Sequence, residues 1–153
     1  MYKKVLLAYD GSVEGRIALR EGAKLAQLCR SEVVLLAVVE MSPSVALEGS
    51  FMTSIEDDQK HYETILAEGA DRLTALGFAP VAKLRVGDPG QEIVKMAAEI
   101  GANLVVVGHR HHGRLSLWWF GSIGTYLIRH LRCSVLVAQT EISDQQFAKM
   151  TGA

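Results

Sequence analysis

The sequence predicts an α/β fold in which a five-stranded parallel sheet carries helices on both faces. Most of the five short strand-like runs are continuously apolar, which is typical of strands that are buried on both faces. Amphipathic helical patterns separate successive runs, and this alternation is typical of a Rossmann-like sandwich with right-handed crossovers.

The first three elements occupy residues 3–40. Residues 3–9 form an apolar run that ends at an Asp-Gly-Ser turn, where Ser12 can cap the following helix. In that helix, which extends to Cys29, apolar residues recur at helical spacing. Residues 31–40 form the second buried strand.

The middle of the chain predicts a loop, a helix and a strand. Residues 41–54 have no clear period and predict a long loop. Residues 55–76 predict a polar amphipathic helix, which Gly77 ends. Residues 79–86 alternate between apolar and polar and predict the third strand.

The last part of the chain predicts two helices, two strands and a tail. The third helix has a proline in its first turn and ends at a glycine. Residues 102–108 predict the fourth strand, a helix covers about 122–131, and residues 133–139 predict the fifth strand. From Glu141 the chain is polar, and we expect a loosely ordered tail.

Length and composition favour one globular domain, over residues 1–140, followed by the polar tail, residues 141–153. The formal net charge of −1 gives no electrostatic case for nucleic acid or an anionic membrane, and no apolar run could span a bilayer. The N-terminal run stops at Asp10 without signal-peptide features. The two cysteines are isolated in the sequence, which is typical of reduced packing residues. We therefore expect a cytoplasmic protein with no nucleic-acid or membrane partner.

In such sheets ligands bind beyond the carboxyl ends of the strands, where the strand order reverses. If the order is 3-2-1-4-5, the first and fourth strands are neighbours, and the loops that follow them border one crevice. Asp10 follows the first of these strands. Its carboxylate could accept hydrogen bonds from a ligand's amino group or ribose hydroxyls, or could instead cap its own turn.

The segment 108–124, GHRHHGRLSLWWFGSIG, follows the fourth strand and has several interpretations. Gly121-Ser122 opens a helix, where free amides and the helix dipole favour an anion, although Gly-Ser is also a common cap. His109, His111 and His112 could bind a metal ion or form a solvated loop. The Trp-Trp-Phe cluster could stack on bases or pack against the sheet or a partner.

No arrangement of residues predicts catalysis. We find no Ser-His-Asp or Cys-His constellation with a supporting motif and no paired carboxylates placed as an acid and a base. We therefore assign no catalytic residues.

Over residues 2–139 the chain resembles the universal stress protein (UspA-like) family. The matching segments are YKKVLLAYDGSVEGRIAL, EVVLLAVVE, VGDPGQEIVKMAAEIGANLVVVG and FGSIGTYLIRHLRCSVLVA. The resemblance implies an adenine nucleotide alpha hydrolase-like sandwich, which agrees with the elements described above. It also implies a homodimer formed through the last strand, Val135 to Ala138.

ATP-binding members of that family carry the motif G-x2-G-x9-G-[ST] after the fourth strand. In this chain Gly108 matches the first glycine and Gly121-Ser122 the final pair, but His111 stands where the second glycine is expected. A side chain there would crowd the phosphates and ribose, unless Gly113 compensates.

The resemblance implies a site for ATP, ADP or AMP, with or without Mg²⁺. Asp10, Val38 and Ala8 would lie near the adenosine part. Phosphates would lie against Gly108, Gly121, Ser122 and the amide of Ile123, with residues His109 to Arg114 as a lid. The alternatives are a dimeric interaction protein in which His111 blocks the phosphate position, and a metal-responsive protein that uses the three histidines.

Overall fold

The computed structural model describes residues 1–40, 51–109 and 122–151. The strands are β1 (Lys4–Ala8), β2 (Glu32–Glu40), β3 (Val81–Gly87), β4 (Leu104–Gly108) and β5 (Ser134–Ala138). The helices are α1 (Val13–Cys29), α2 (Phe51–Ala75), α3 (Pro89–Ile100), α4 (Ser122–His130) and α5 (Asp144–Thr151). None of the described helices is long and apolar enough to cross a membrane.

The five strands form one parallel sheet in the order β3-β2-β1-β4-β5, which confirms the predicted fold and strand order. β1 pairs with β2 on one side and with β4 on the other, so that Ala8 lies beside Leu36 and Leu7 beside Val106. The strand order therefore reverses between β1 and β4, as the sequence interpretation assumed.

Odd-numbered and even-numbered residues of β1 face different helical layers because successive side chains point to opposite faces of a sheet. Val5, Leu7 and Tyr9 belong to the core that includes α1 and α2 residues. Leu6 and Leu36 belong to the core that includes Ile93 and Met96 of α3 and Leu127 of α4. Both faces are buried, which explains the continuously apolar strand sequences.

Local capping sets the starts of α1 and α3. The hydroxyl of Ser12 accepts a hydrogen bond from the amide of Gly15 at 3.0 Å. The carboxylate of Asp88 accepts one from the amide of Gln91 at 2.9 Å, next to a proline in the first turn. These contacts satisfy amides that the first helical turn leaves without a backbone partner.

Two helical segments differ from the sequence prediction. α2 begins at Phe51, inside the predicted loop. The sequence prediction placed this start later because residues 51–54 show no helical period of their own. The tail contains α5, which begins with a reciprocal capping box between Ser143 and Gln146. The tail also contacts α1, since Arg20 donates a hydrogen bond to the carbonyl of Ile142 at 2.8 Å.

Candidate functional site

A cleft that is partly open to solvent lies at the carboxyl ends of β1, β2 and β4. The start of α1 and residues of α2 and α3 complete its walls. Its described lining residues are Ala8, Tyr9, Asp10, Ser12, Glu14, Gly15, Leu36, Val38, Glu40, Tyr62, Pro89, Ile93 and Gly108. A cleft at the reversal of strand order is the usual place for a small-molecule ligand in such a sheet.

The floor of the cleft is apolar. Leu36 and Val38 alternate along β2 and so share one face of the sheet, next to Ala8 of β1. Pro89 and Ile93, from the first turn and a half of α3, lie against this face. These side chains offer a ring system apolar contact without competing hydrogen bonds.

Asp10 is held by its own turn. Its Oδ1 accepts hydrogen bonds from the amide of Ser12 at 3.0 Å and from the Ser12 hydroxyl at 2.5 Å. A Cβ on Gly15 would lie only 2.5 Å from the same oxygen, so a glycine is needed where the carboxylate crosses the first turn of α1. Asp10 therefore caps the turn, as one of the two sequence interpretations proposed, and also lines the cleft.

Gly108 ends β4 directly against the first turn of α1. A Cβ at this position would lie 2.6 Å from the carbonyl oxygen and 2.8 Å from the carbonyl carbon of Glu14. The absence of a side chain lets β4 pass this backbone, which is a packing reason for the glycine in addition to any contact with a ligand.

The described polar wall is acidic. Asp10, Glu14 and Glu40 line the cleft, and none of its lining residues in the described ranges is Lys or Arg. Carboxylates can accept hydrogen bonds from hydroxyl and amino groups, whereas they repel phosphate. These walls therefore suit the uncharged part of a ligand.

Tyr62 of α2 forms the opposite side of the cleft. Its side chain is half-buried, and this burial raises the pKa of the phenol above 10.0; the carboxylates of Glu40 and Asp58 raise it further. The hydroxyl consequently stays protonated at neutral pH and can donate a hydrogen bond.

The structure brings together four of the predicted site residues, Ala8, Asp10, Val38 and Gly108. His109 follows β4 and is half-buried, but it is not among the described lining residues. Ser122 and Ile123 lie in the first turn of α4.

The remaining predicted residues, His111, Gly113 and Gly121, lie outside the described residues, as does His112. Within the described ranges no three His, Cys, Asp or Glu side chains are grouped so that they could hold a metal ion.

Sequence reasoning missed several lining residues. Glu40 ends β2 and could have been found by the rule that located Asp10, because both stand at the carboxyl end of a strand. Tyr62 lies mid-way along an amphipathic helix and carries no local signal. Pro89 and Ile93 were assigned only to α3, since their position over β2 depends on tertiary packing.

Comparison with known proteins places this fold in a family. The sequence model of the universal stress protein family matches residues 1–139. The chain belongs to the universal stress protein family. This confirms the resemblance inferred from the sequence.

Individual relatives and solved structures resemble this universal stress protein over most of its length. Universal stress protein Sll1388 of Synechocystis is 28% identical over 151 residues, covering 90% of this chain and 98% of the relative. The solved structure of protein MJ0577 has a TM-score of 0.76 and 26% identity, covering 94% of this chain and 99% of that chain. A universal stress protein in complex with cAMP has a TM-score of 0.70 and 22% identity, with coverages of 92% and 99%.

Proposed function

We propose that this universal stress protein binds ATP, ADP or AMP in the cleft at the ends of β1, β2 and β4 and acts in a cytoplasmic stress response. The convergence of Ala8, Asp10, Val38 and Gly108 on one cleft is the observation that carries the proposal, because the sequence resemblance assigns these same positions to a nucleotide site. A solved family member in complex with cAMP is consistent with an adenine ligand. At 22% identity that likeness supports the fold alone, so the proposal depends on the cleft's own residues.

In the proposed complex the adenine ring lies on the apolar floor around Val38, and the ribose hydroxyls face the acidic turn at Asp10. Phosphates point away from the carboxylates of Glu14 and Glu40, which would repel them. We assign the phosphates to the glycines after β4 and to the start of α4, where free amides and the helix dipole favour an anion. Mg²⁺ bound to a triphosphate would reduce its net negative charge and would therefore weaken its repulsion by the acidic wall.

We propose that the protein acts through ligand occupancy, with at most slow ATP hydrolysis. We further propose that the protein forms a homodimer, in which two copies of the chain pair through Val135 to Ala138. β5 stands at one end of the described sheet and hydrogen-bonds to β4, which is compatible with pairing along its other edge.

The test is binding by the purified full chain. Mass spectrometry of the protein as isolated would detect a retained nucleotide, and calorimetry after nucleotide removal would measure ATP, ADP and AMP up to millimolar concentration. Val38→Phe, which fills the floor, should weaken binding at least tenfold. The matched control Val81→Phe, on the half-exposed start of β3, should leave it unchanged. Absence of any adenine-nucleotide binding at millimolar ligand would show that the proposal is wrong.

The second candidate is a dimeric interaction protein that binds no nucleotide. The packing of Gly108 against Glu14 favours it, since this glycine then needs no ligand to explain it. Under this alternative His111 occupies the phosphate position. Sedimentation would find a stable dimer of the 16.7 kDa chain while calorimetry finds no nucleotide affinity.

A further inference from the structure

The position of Tyr62 follows from how α2 packs on the sheet. A Cβ on Gly69 would lie 2.8 Å from the ring of Tyr9 and 2.9 Å from Leu35, so this face of α2 touches the sheet closely. Tyr62 is seven residues earlier, which is about two helical turns or 10 Å along the same face. The face that covers the strands therefore continues past their carboxyl ends and presents Tyr62 to the cleft.

α2 is held in this position by charged contacts as well as by packing. Glu68 accepts hydrogen bonds from Arg16 of α1 at 3.1 Å and from Arg72 at 2.9 Å. The bridge to Arg16 ties α2 to the helix whose first turn lines the same cleft. Tyr62 therefore lies on a helix that contacts both the sheet and α1 beside the cleft.

Glu40 faces the same space from β2. Leu36, Val38 and Glu40 alternate along the strand, so the carboxylate follows the apolar floor on the same face of the sheet. Tyr62 of α2 and Glu40 of β2 both line the cleft, so each faces the space that a ligand would occupy. An aromatic ring and a hydrogen-bond acceptor thus both border the cleft whose apolar floor would carry a base.

We propose that Tyr62 and Glu40 form the base-recognition wall of the cleft: the Tyr62 ring packs against the base, and the Glu40 carboxylate accepts a hydrogen bond from its exocyclic amino group. This inference rests on the proposed function, because it specifies what the nucleotide cleft selects. The ligand class it names is 6-aminopurine nucleotides in preference to 6-oxopurine nucleotides.

The chemistry of the two groups gives the selectivity its direction. A carboxylate can only accept hydrogen bonds, and an amino group donates one, whereas the 6-oxo group is itself an acceptor. An oxopurine in the same pose would place two acceptors against each other and would lose the hydrogen bond that the amino group makes. A glutamine at position 40 would carry an acceptor and a donor and would suit either base.

The test compares AMP with inosine monophosphate by calorimetry on the nucleotide-free full chain. The native protein should bind AMP at least about tenfold more tightly, and Glu40→Gln should reduce this ratio to about threefold or less. The matched control is Glu32→Gln at the opposite end of β2, where the carboxylate pairs with Lys4 at 3.2 Å; it should preserve the ratio. A ratio unchanged by Glu40→Gln would overturn the role of Glu40.

Tyr62 has a separate readout. Tyr62→Ala should weaken AMP and inosine monophosphate by a similar factor, about tenfold, while Tyr62→Phe keeps the ring and should stay within about threefold of the native affinity. Tyr2→Phe, at the other end of the sheet, is the control. Equal affinity of Tyr62→Ala and the native protein would overturn the role of Tyr62.

These outcomes separate this inference from the proposed function. Nucleotide binding by the native protein with no effect of the Tyr62 and Glu40 variants would overturn the base-recognition wall alone. Failure of the native protein to bind either nucleotide would overturn the proposed function and the wall with it. Circular dichroism of each variant would establish that it is folded.

Discussion

Gly108→Ala provides a test of packing at the end of β4 that needs no ligand. The new Cβ would lie 2.6 Å from the Glu14 carbonyl oxygen and 2.8 Å from its carbonyl carbon. Cβ contacts below 3.0 Å are essentially absent from proteins, and both partners are backbone atoms of a helix that cannot rotate away. β4 and the first turn of α1 must therefore move apart.

The magnitude follows from two opposing terms. Overpacking of this kind costs about 1–3 kcal/mol. Replacing glycine by alanine returns about 0.4–1 kcal/mol because the unfolded chain loses conformational freedom. We expect a net loss of roughly 1–2 kcal/mol in the free energy of unfolding, which lowers the melting temperature of a domain of this size by roughly 2–8 °C.

The assay is thermal and urea unfolding of nucleotide-free protein, followed by circular dichroism. Gly77→Asn is the control, because a Cβ there meets nothing within 4 Å and asparagine tolerates its left-handed φ of +87°. It should change the free energy of unfolding by less than about 1 kcal/mol. If Gly108→Ala unfolds at the native temperature, the packing argument is wrong; if it also loses nucleotide binding, the glycine serves the ligand instead.

Three further predictions concern other parts of the chain. Asp88→Ala removes the cap of α3 and should destabilise the protein by about 1 kcal/mol in urea unfolding, whereas an unchanged midpoint would mean that water replaces the cap. The raised pKa of Tyr62 means that its neutral form is favoured by folding, so its contribution to stability is fully present below the unfolded value near 10 and is lost as pH rises through the higher folded value. Tyr62→Phe should therefore flatten the loss of stability above about pH 10, and identical alkaline profiles would refute this. Burial raises the pKa of the Cys133 thiol, so its alkylation at pH 8, followed by mass spectrometry, should be slower than that of an unfolded control; equal rates would contradict the burial.

The strands and their parallel sheet were predictable because they depend on features that short segments carry, whereas the strand order entered as an assumption that the structure then confirmed. β2 is apolar at nearly every position and can only be a buried strand, and Ser12 and Asp88 mark helix starts by local capping. α5 was missed although Ser143 and Gln146 form a recognisable capping box, since the surrounding residues are polar.

The candidate site was predictable only where it follows the strands. Asp10 and Gly108 could be located because strand ends meet at one edge of the sheet. Tyr62 could not be located in this way, because its place in the cleft depends on where α2 lies along the sheet, which the close contact of Gly69 with Tyr9 helps to set. That distance is a property of packing between layers, which no local pattern encodes.

The graded burial along β2 has a consequence for how the family could diversify. Val34 and Leu36 are almost fully buried, Val38 is half-buried, and Glu40 is exposed, although all four lie on one face of the strand. Substitutions at the first two would disturb the core, while the last position can change with little loss of stability. A lineage could therefore alter what this cleft accepts by changing one strand-terminal side chain, leaving the folding of the domain untouched.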